Sequence, residues 1–386
     1  MFAMMNSIEL FAGGGGLALA ASRSGFNHSF MVEWDSDSAS TLRHNSSMFH
    51  LPLQSEKAIY NGDIRDVDFL EYANKVDLLS GGPPCQPFSI GGKAQAYNDN
   101  RDMFPQAARA LAEIKPRAFI FENVRGLLRK SFARYFNYII LQLTYPEIVR
   151  LDNQSWEEHL SLLEKHHTSN AFYEGLKYNV VFRLVNAADY GVPQKRERVF
   201  IVGFRNDVKG DWCFPEPTHS KEALDYVKYC TGEYWERHNL PIPKCVKCAS
   251  QLLFAPDKKP WVTVRDVLCD LPNPQSKENK TVNHRYQPGA KIYPGHTGSC
   301  LDEPSKTIKA GAHGVPGGEN MMLLDDGTAR YYTVREAARI QTFPDEYVFP
   351  CSWTESMRQI GNAVPVLLGS VVAKSVYNTL KKGQNN

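Results

Sequence analysis

The stretch SIELFAGGGGLALAAS, residues 7–22, is the clearest fold signal in the chain. Its first five residues form a short apolar run typical of a buried strand, and its last six form an alanine- and leucine-rich helical run. Four glycines, Gly13 to Gly16, join the two runs. Glycine lets a backbone pass close beneath a ligand, and the first turn of a helix offers unpaired amides. We therefore expect a strand–loop–helix unit that binds a ligand.

Similar short apolar runs recur along the first half of the chain, and the segments between them, such as 103–114, have helical periodicity. Strands that alternate with helices indicate an α/β fold with a mostly parallel sheet covered on both faces. Ligands bind beyond the carboxyl ends of such strands, so we predict a ligand-binding domain over residues 1–206. The further predicted strands are 30–33, 76–80, 117–121, 180–184 and 198–203.

The pattern changes after about residue 206. Residues 207–330 are rich in Pro, Gly, His, Lys and aromatic residues without a long helical run, which predicts a second, irregular domain. Helical periodicity returns at residue 333, and the apolar run 364–380 predicts a helix. We expect the C-terminal segment, 331–386, to pack back on the first domain.

Composition suits a soluble globular protein, with 42% hydrophobic and 22% charged residues. The formal net charge is only +2, but residues 241–310 contain 11 Lys and Arg against 6 Asp and Glu. That basic region suits a polyanion, and it suits a solvated lysine-rich surface equally well. No apolar run has the ~18 residues needed to span a bilayer, and Glu9 interrupts any signal-like stretch. Eight scattered cysteines favour reduced thiols, so we expect a cytoplasmic protein without membrane contact.

Acidic side chains follow the next two strand ends. Glu33 lies about twenty residues after the glycine loop, where an acidic residue can hold ribose hydroxyls, and Trp34 can stack on an adenine. Asp63 offers a carboxylate to an adenine amino group, and Ile64 offers an apolar contact. A glycine loop alone is equally typical of a dinucleotide site, so these residues predict a nucleotide-like cofactor and no more.

The segment GGPPCQPFS, residues 81–89, directly follows the predicted strand VDLLS. Prolines on both sides of Cys85 stiffen the loop and hold the thiol in one orientation. A cysteine with its ordinary pKa of about 8.5 is a weak nucleophile, so this one needs electropositive neighbours. Most single cysteines are inert core residues, but a proline-clamped cysteine at a strand end favours a nucleophile.

PPCQPFS resembles the catalytic loop of the cytosine-C5 DNA methyltransferases, a family common in bacterial restriction–modification systems. Other segments resemble the remaining family motifs and occur in the family's order, covering the chain except about 207–330. Two features depart from the pattern: Gly14 replaces an often apolar residue, and the stretch between FENV and QKRER, including residues 156–173, looks like an inserted helical segment. The matching segments are FAGGGG, EWD and GDI for the cofactor, FENV at 121–124, QKRER at 194–198, REAARIQTFP at 335–344 and QIGNAVP at 359–365.

The resemblance implies a Rossmann-like domain for S-adenosylmethionine and a smaller target-recognition domain, 207–330. It implies that Cys85 attacks carbon 6 of cytosine and that Glu122 donates a proton to ring nitrogen N3. Arg196 and Arg198 are implied to bind the ring oxygen O2 or a flanking phosphate and to keep Cys85 ionised. The implied cofactor contacts are Phe11, Gly13, Gly15, Glu33, Trp34, Asp63, Ile64, Pro83, Met103, Asn362 and Val364.

The resemblance also implies duplex DNA as the partner. The target carbon is hidden in the base stack, so the cytosine must be rotated out into the pocket. Basic donors in a glycine-dense stretch, 304–311 and 313–319, favour guanine as the purine that is read. The stretch also resembles recognition loops of family members that modify short GC-rich palindromes, so we expect a palindromic site of about four to six base pairs containing GG and CC. We expect a monomer, with a cognate restriction endonuclease as a functional and not a physical partner, acting on the nucleoid. The implied DNA contacts are Gln86, Ser89, Arg285, Lys306, Thr307, Ile308 and Lys309.

Other functions account for fewer of these residues. An RNA (tRNA) cytosine-5 methyltransferase of the same family is the nearest alternative, followed by a non-catalytic DNA-binding regulator. A nicotinamide-dependent oxidoreductase leaves PPCQ without a purpose, and a cysteine hydrolase lacks a histidine in the motifs. We expect no metal, because the single pair Cys245 and Cys248, which Cys230, Cys269 or His238 could complete as a zinc site, is a weak signal.

Overall fold

A computed structural model of the chain describes residues 4–51, 55–84, 102–169, 173–243, 255–292, 294, 297–310 and 320–383. The chain divides into two compact units. The first unit contains residues 1–185, 197–214 and 372–386, and the second contains 186–196 and 215–371. The sequence-based division differs from these units at residues 186–196, 207–214 and 331–371, and the assignment of 207–330 to target recognition stays a prediction.

Seven strands form the main sheet, in the order β3-β2-β1-β4-β5-β7-β6. Strands β1 to β5 pair in parallel, and β7 pairs antiparallel with β5. The α/β fold and the mostly parallel sheet expected from the sequence are confirmed. The strands are β1 (Met5–Leu10), β2 (Phe26–Glu33), β3 (Ile59–Asn61), β4 (Leu78–Gly81), β5 (Ala118–Val124), β6 (Tyr178–Asn186) and β7 (Glu197–Arg205).

In the described residues before β6, six α-helices accompany these strands. The predicted helical insertion is present, and a capping box between Ser155 and Glu158 fixes its start. Trp156, Leu160 and Leu163 of this helix are buried in the core of the first unit. The helices are α1 (Gly16–Ser24), α2 (Ser36–His44), α3 (Ser55–Ala58), α4 (Phe104–Ile114), α5 (Ala133–Thr144) and α6 (Trp156–Thr168).

The second unit contains short elements. In its described part before residue 331 the longest helix has nine residues, in keeping with the irregular pattern predicted there. Leu224, Tyr234 and Trp235 form a small core of their own. The elements are β8 (His219–Ser220), α7 (Lys221–Tyr229), α8 (Glu233–Arg237), β9 (Lys259–Pro260), α9 (Val264–Leu268), β10 (Ser299–Cys300), β11 (Met321–Leu323), β12 (Ala329–Tyr331), α10 (Val334–Ile340) and α11 (Trp353–Asn362).

The last helix, α12 (Val366–Lys382), ends in the first unit. There the Tyr377 ring meets Phe26 edge-on with centroids 5.2 Å apart, and Arg117 Nη2 donates to the Leu380 carbonyl over 3.0 Å. By length and composition the stretch Trp353–Lys382 could cross a membrane, but 61% of its most apolar window is buried. That degree of burial is typical of a core helix in a soluble protein.

One acidic side chain is buried in the middle of the sheet. Glu9 of β1 is 1% exposed, and Ser80 of the neighbouring β4 donates a hydrogen bond to its carboxylate. Burial raises the pKa of Glu9 to about 8, although the bond from Ser80 opposes this shift. The folded chain therefore keeps a proton on Glu9 at neutral pH, where an unfolded glutamate has lost it.

We expect Glu9→Gln to stabilise the protein above neutral pH. Because the folded state binds the extra proton, the wild-type free energy of unfolding should fall as pH rises from about 4.5 to about 8, then level off. One proton corresponds to a slope of about 1.4 kcal/mol per pH unit. Urea denaturation between pH 5 and 9 should show a flatter profile for Glu9→Gln, whereas Glu71→Gln, an exposed control, should keep the wild-type slope. Identical profiles for wild type and Glu9→Gln would contradict the assignment.

Candidate active site

The carboxyl ends of the five parallel strands lie along one edge of the sheet, as in other open α/β sheets. Most site residues predicted from the sequence for the first unit follow these ends directly. They are Phe11, Gly13 and Gly15 after β1, Glu33 and Trp34 at the end of β2, Asp63 and Ile64 after β3, Pro83 after β4 and Glu122 near the end of β5.

The glycine loop after β1 has a left-handed backbone at three positions. Phe11, Gly13 and Gly15 have φ values of 53°, 54° and 79°. A Cβ on Gly13 would have no atom of the described residues within 4 Å, so with respect to them the space beside the loop is open. The loop amide of Gly13 donates to Glu33 Oε2 over 2.6 Å. Two predicted cofactor residues from different strands are therefore in direct contact.

The Glu33 carboxylate is held in place by backbone amides. It is 8% exposed, and its Oε1 accepts from the Asp35 N–H over 2.8 Å. Asn61 at the end of β3 donates to the carbonyls of Glu33 and Trp34 over 3.1 and 2.9 Å. Trp34 itself is 67% exposed, so its indole can stack on a planar ring. The support from Asn61 was not predicted from the sequence.

Asp63 and Ile64 follow β3 as predicted, with different surroundings. Asp63 pairs with Arg65 Nη2 at 2.5 Å, and the hydrogen bond from Arg65 lowers the pKa of the Asp63 carboxyl. Ile64 is 4% exposed and belongs to the core of the first unit. Arg109 Nη2 donates to the Ile64 carbonyl over 2.7 Å. Asp63 is therefore ionised at neutral pH. It lies at the edge of the sheet where the parallel strands have their carboxyl ends.

The end of β4 lies tightly against its neighbours. A Cβ on Gly81 would be 2.3 Å from the Leu10 carbonyl oxygen, so only glycine fits there. Asn123 Nδ2 donates to the Pro83 carbonyl over 2.9 Å, and the Met103 N–H donates to the Pro84 carbonyl over 3.1 Å. The bond from Met103 to Pro84 thus holds together the two chain segments on either side of residues 85–101, so that Met103 lies close to Pro83. Cys85, Gln86 and Ser89 lie outside the described residues.

Glu122 and Arg198 form a buried ion pair between the adjacent strands β5 and β7. Arg198 Nε is 2.8 Å from Glu122 Oε1, and the side chains are 12% and 9% exposed. Burial lowers the pKa of Arg198, and the charge of Glu122 opposes that shift. A Cβ on Gly82 would be 3.6 Å from Glu122 Oε2, which places this carboxylate beside the segment that leads into Cys85.

Arg196 is only two residues away in sequence but belongs to the second unit. Its side chain is fully buried, and its terminal nitrogens donate to three backbone carbonyls. Nη1 bonds Ile308 over 3.0 Å, and Nη2 bonds Gly361 over 2.6 Å and Ala363 over 3.1 Å. The guanidinium thus ties together three segments of the second unit.

The predicted DNA-binding segment around Thr307 runs beside residues 193–196. Thr307 Oγ1 donates to the Lys195 carbonyl over 2.7 Å, and the Lys195 N–H donates to the Ser305 carbonyl over 2.8 Å. Lys306 and Lys309 have exposed side chains, whereas Ile308 is fully buried. Arg285 and Asn362 are also exposed, and Val364 is buried. The predicted loop 311–319 lies outside the described residues.

Only some of the residues that could bind zinc lie within the described residues. Cys245 and Cys248 lie outside the described residues. His238 Nε2 is 2.9 Å from Asp266 Oδ1, and Cys269 is exposed. Within the described ranges, no group of three or more His, Cys, Asp or Glu side chains is placed to hold a metal ion.

Comparison with known proteins gives a consistent result. The family model described as "C-5 cytosine-specific DNA methylase" matches residues 5–145 and 160–378. Type II methyltransferase M.Eco47II of Escherichia coli is 34% identical, over 97% of this chain and 79% of that protein. Type II methyltransferase M.NgoMIV of Neisseria gonorrhoeae is 30% identical, over 97% of this chain and 98% of that protein.

Solved structures support the fold. The Entamoeba histolytica methyltransferase EhMeth aligns with a TM-score of 0.60 at 12% identity, covering 98% of this chain and 99% of that one. The S. pombe Dnmt2 methyltransferase aligns with a TM-score of 0.57 at 16% identity, covering 99% and 100%. Because the family model covers nearly the whole chain and these relatives are 30–34% identical over most of it, the chain belongs to the C-5 cytosine-specific DNA methylase family.

Proposed function

We propose that the chain transfers a methyl group from S-adenosylmethionine to carbon 5 of a cytosine in a short, specific duplex DNA site. The observation that carries this is the buried Glu122–Arg198 pair beside the β4 segment that leads into Cys85. The names of the relatives, Type II methyltransferases, favour a role in protecting DNA from a cognate restriction endonuclease.

The residues at the strand ends fit S-adenosylmethionine. Open space beside Gly13, a fixed Glu33 carboxylate and an exposed Trp34 suit a backbone-contacting tail, a ribose and an adenine, in that order. When bound, the cofactor supplies an electrophilic methyl group on its sulfonium. The remaining contacts proposed for it are Phe11, Gly15, Asp63, Ile64, Pro83, Met103, Asn362 and Val364.

Carbon 5 of cytosine is a poor nucleophile until the ring is activated. The Cys85 thiolate forms a bond to carbon 6, and the displaced electron pair makes carbon 5 enamine-like. Charge that builds toward N3 is neutralised by a proton from Glu122, which first takes that proton up from solvent while Arg198 holds the carboxyl group in place. After methylation a water molecule removes the carbon-5 proton, and the electron pair released re-forms the ring double bond as Cys85 leaves. N3 returns the proton to Glu122 when Cys85 leaves.

The contacts of Arg196 change the role that the resemblance implied. Its guanidinium donates to three main-chain carbonyls in a fully buried site, so we propose that it positions the segment around Thr307 and does not bind the substrate. For Arg198 we retain the proposed contact with the ring oxygen O2 of the cytosine. Ile308 is likewise buried, and we assign it an anchoring role in that segment.

On the DNA side, we propose that side chains of the second unit contact the duplex while the flipped cytosine enters the pocket. Arg285, Lys306, Thr307 and Lys309 are the candidates in the second unit, and Gln86 and Ser89 are those next to Cys85. A monomer then methylates each strand of a short GG- and CC-containing palindrome in separate binding events. Such an enzyme works in the cytoplasm, associated with the nucleoid.

Incubation with isotope-labelled S-adenosylmethionine tests this function directly. Duplex DNA should become labelled and tRNA should not, and bisulfite sequencing should place the methyl groups at cytosines of one recurring motif. Labelling of tRNA alone would favour the RNA-methylating alternative. Absence of label on both, with cofactor binding intact, would favour a non-catalytic regulator.

Glu33→Ala should weaken binding of S-adenosylmethionine. We expect a loss of about 1–3 kcal/mol, the usual contribution of a charged hydrogen bond, because the carboxylate beside Gly13 can no longer accept ribose hydroxyls. Calorimetry measures the change directly. Asp37→Ala, a change in α2 just beyond β2, is the matched control and should bind normally. Unchanged affinity in Glu33→Ala would refute the assignment.

A further inference from the structure

The main chain of Lys309 is held by the side chain of Asn320. The Lys309 N–H donates to Asn320 Oδ1 over 3.1 Å, and Asn320 Nδ2 donates to the Lys309 carbonyl over 3.3 Å. Asn320 is 4% exposed. A carboxamide carries one acceptor and one donor group side by side, as a peptide does, so this side chain takes the place of a neighbouring strand.

The preceding residue is held in the same way by other side chains. Gln194 Oε1 accepts from the Ile308 N–H over 3.0 Å, and Arg196 Nη1 donates to the Ile308 carbonyl over 3.0 Å. Residues 306–310 belong to no strand. Two consecutive residues therefore have all four backbone polar groups bonded to side chains, from 194, 196 and 320.

Helix α11 closes the remaining side of this segment. A Cβ on Gly361 would be 2.5 Å from the Lys309 carbonyl carbon and 2.5 Å from the Ala310 nitrogen. The backbone of α11 thus lies directly against that of Lys309, and only glycine fits at position 361. The Lys309 side chain, in contrast, is exposed.

The fixed main chain of Lys309 matters for base recognition, because a lysine whose Cα can move discriminates poorly between bases. Its ammonium is a point charge on a flexible four-carbon stem, so a mobile backbone would let it reach phosphates and several base edges alike. A fixed backbone limits the base edges within reach. Asn320 has its amide turned toward the main chain of Lys309 and is almost fully buried, so it acts through Lys309 and does not itself touch DNA.

We propose that Asn320 is a positioning residue for DNA reading: its amide fixes Lys309 and thereby sets how strictly the enzyme reads one base pair. This inference rests on the proposed function of the second unit. Loss of the two bonds should broaden the choice of sequence, whereas the chemistry at Cys85, Glu122 and Arg198 should continue.

The test compares Asn320→Asp with wild type on a duplex library of randomised sites, read by bisulfite sequencing. The carboxylate can still accept from the Lys309 N–H, but it cannot donate to the carbonyl and repels it. Asn283→Asp is the matched control, because Asn283 forms the same pair of bonds with the main chain of Phe349, at 2.8 and 2.9 Å. Melting temperature and cofactor affinity are measured for all three proteins.

We expect discrimination at one base pair to fall about tenfold in Asn320→Asp, within the range for one lost base contact. Asn283→Asp should keep the wild-type sequence profile, even where its melting temperature falls by the same amount. An unchanged profile in Asn320→Asp, or the same broadening in both variants, would overturn the inference. A wild type that methylates no library member would instead overturn the proposed function.

A second comparison tests whether Asn320 acts through Lys309. Lys309→Ala alone should relax reading at the same base pair, and adding Asn320→Asp to it should cause no further loss, because contacting residues that share one role are not additive. Full additivity in the double variant would contradict the proposal. Should Asn320→Asp fail to fold, Asn320→Ala, which removes both bonds without adding a charge, replaces it in each comparison.

Discussion

Cys85→Ser should abolish methyl transfer to DNA while leaving the binding of S-adenosylmethionine intact. A serine hydroxyl stays protonated at neutral pH, so it cannot attack carbon 6 as a thiolate does. The cofactor residues around Gly13 and Glu33 follow other strands, so calorimetry should return the wild-type affinity. Filter-binding with labelled cofactor and duplex DNA measures the transfer.

Duplex DNA that contains 5-fluorocytosine provides an independent readout. The wild type should form a covalent complex that survives denaturing electrophoresis, because fluorine at carbon 5 prevents the proton loss that releases the cysteine. Cys85→Ser should form none. Cys269→Ser, which changes an exposed thiol, is the matched control and should behave as wild type in both assays. Normal turnover by Cys85→Ser would rule out the proposed nucleophile.

The second large effect is expected from Glu122→Gln, which retains the size of the side chain but removes its acid. Without a proton donor for N3, and with the pair to Arg198 reduced to a neutral hydrogen bond, kcat should fall by about 10²–10⁴. The KM for S-adenosylmethionine should be nearly unchanged. Single-turnover methylation measured on either side of neutral pH separates the loss of the acid from a change in DNA binding.

Glu197→Gln is a suitable control for that experiment. Glu197 also pairs with an arginine, Arg125, at 2.6 Å, but both side chains are largely exposed. Exposed pairs contribute little, typically ~0–1 kcal/mol, so this variant should retain activity. Equal losses in the two variants would show that the buried pair has no special role in the chemistry.

Much of the fold was predictable because buried strands leave short apolar runs in the sequence. All six strands expected from such runs are present. Strand β3 has only three residues and is too short to leave an apolar run, so only the strand-end motif at Asp63 indicated it. The antiparallel direction of β7 was not predicted, since an apolar run carries no sign of its direction. The parallel strands also predicted that Gly13, Glu33 and Glu122 lie along one edge of the sheet, because the carboxyl ends of parallel strands meet at one edge.

The sequence did not reveal which charged side chains bind main-chain carbonyls and which pair with another charged side chain. Arg196 and Arg198 are two residues apart in one motif, yet one donates to carbonyls near residues 308 and 361 and the other pairs with Glu122. The carbonyls that Arg196 binds are 112 and 165 residues away along the chain, so no local pattern indicates them. Asn320 gave no signal for the same reason, because its partner is fixed by tertiary structure and not by local pattern.

The first unit is discontinuous along the chain, since it combines residues 1–185 and 197–214 with 372–386. The last of these segments supplies Tyr377 against Phe26 and the Leu380 carbonyl that Arg117 binds. During translation, the ribosome must therefore add all of residues 215–371 before the sheet can acquire its final helix. At about 5–20 residues per second this takes roughly 8–30 s, during which the nascent N-terminal half exposes an apolar face that a chaperone can bind.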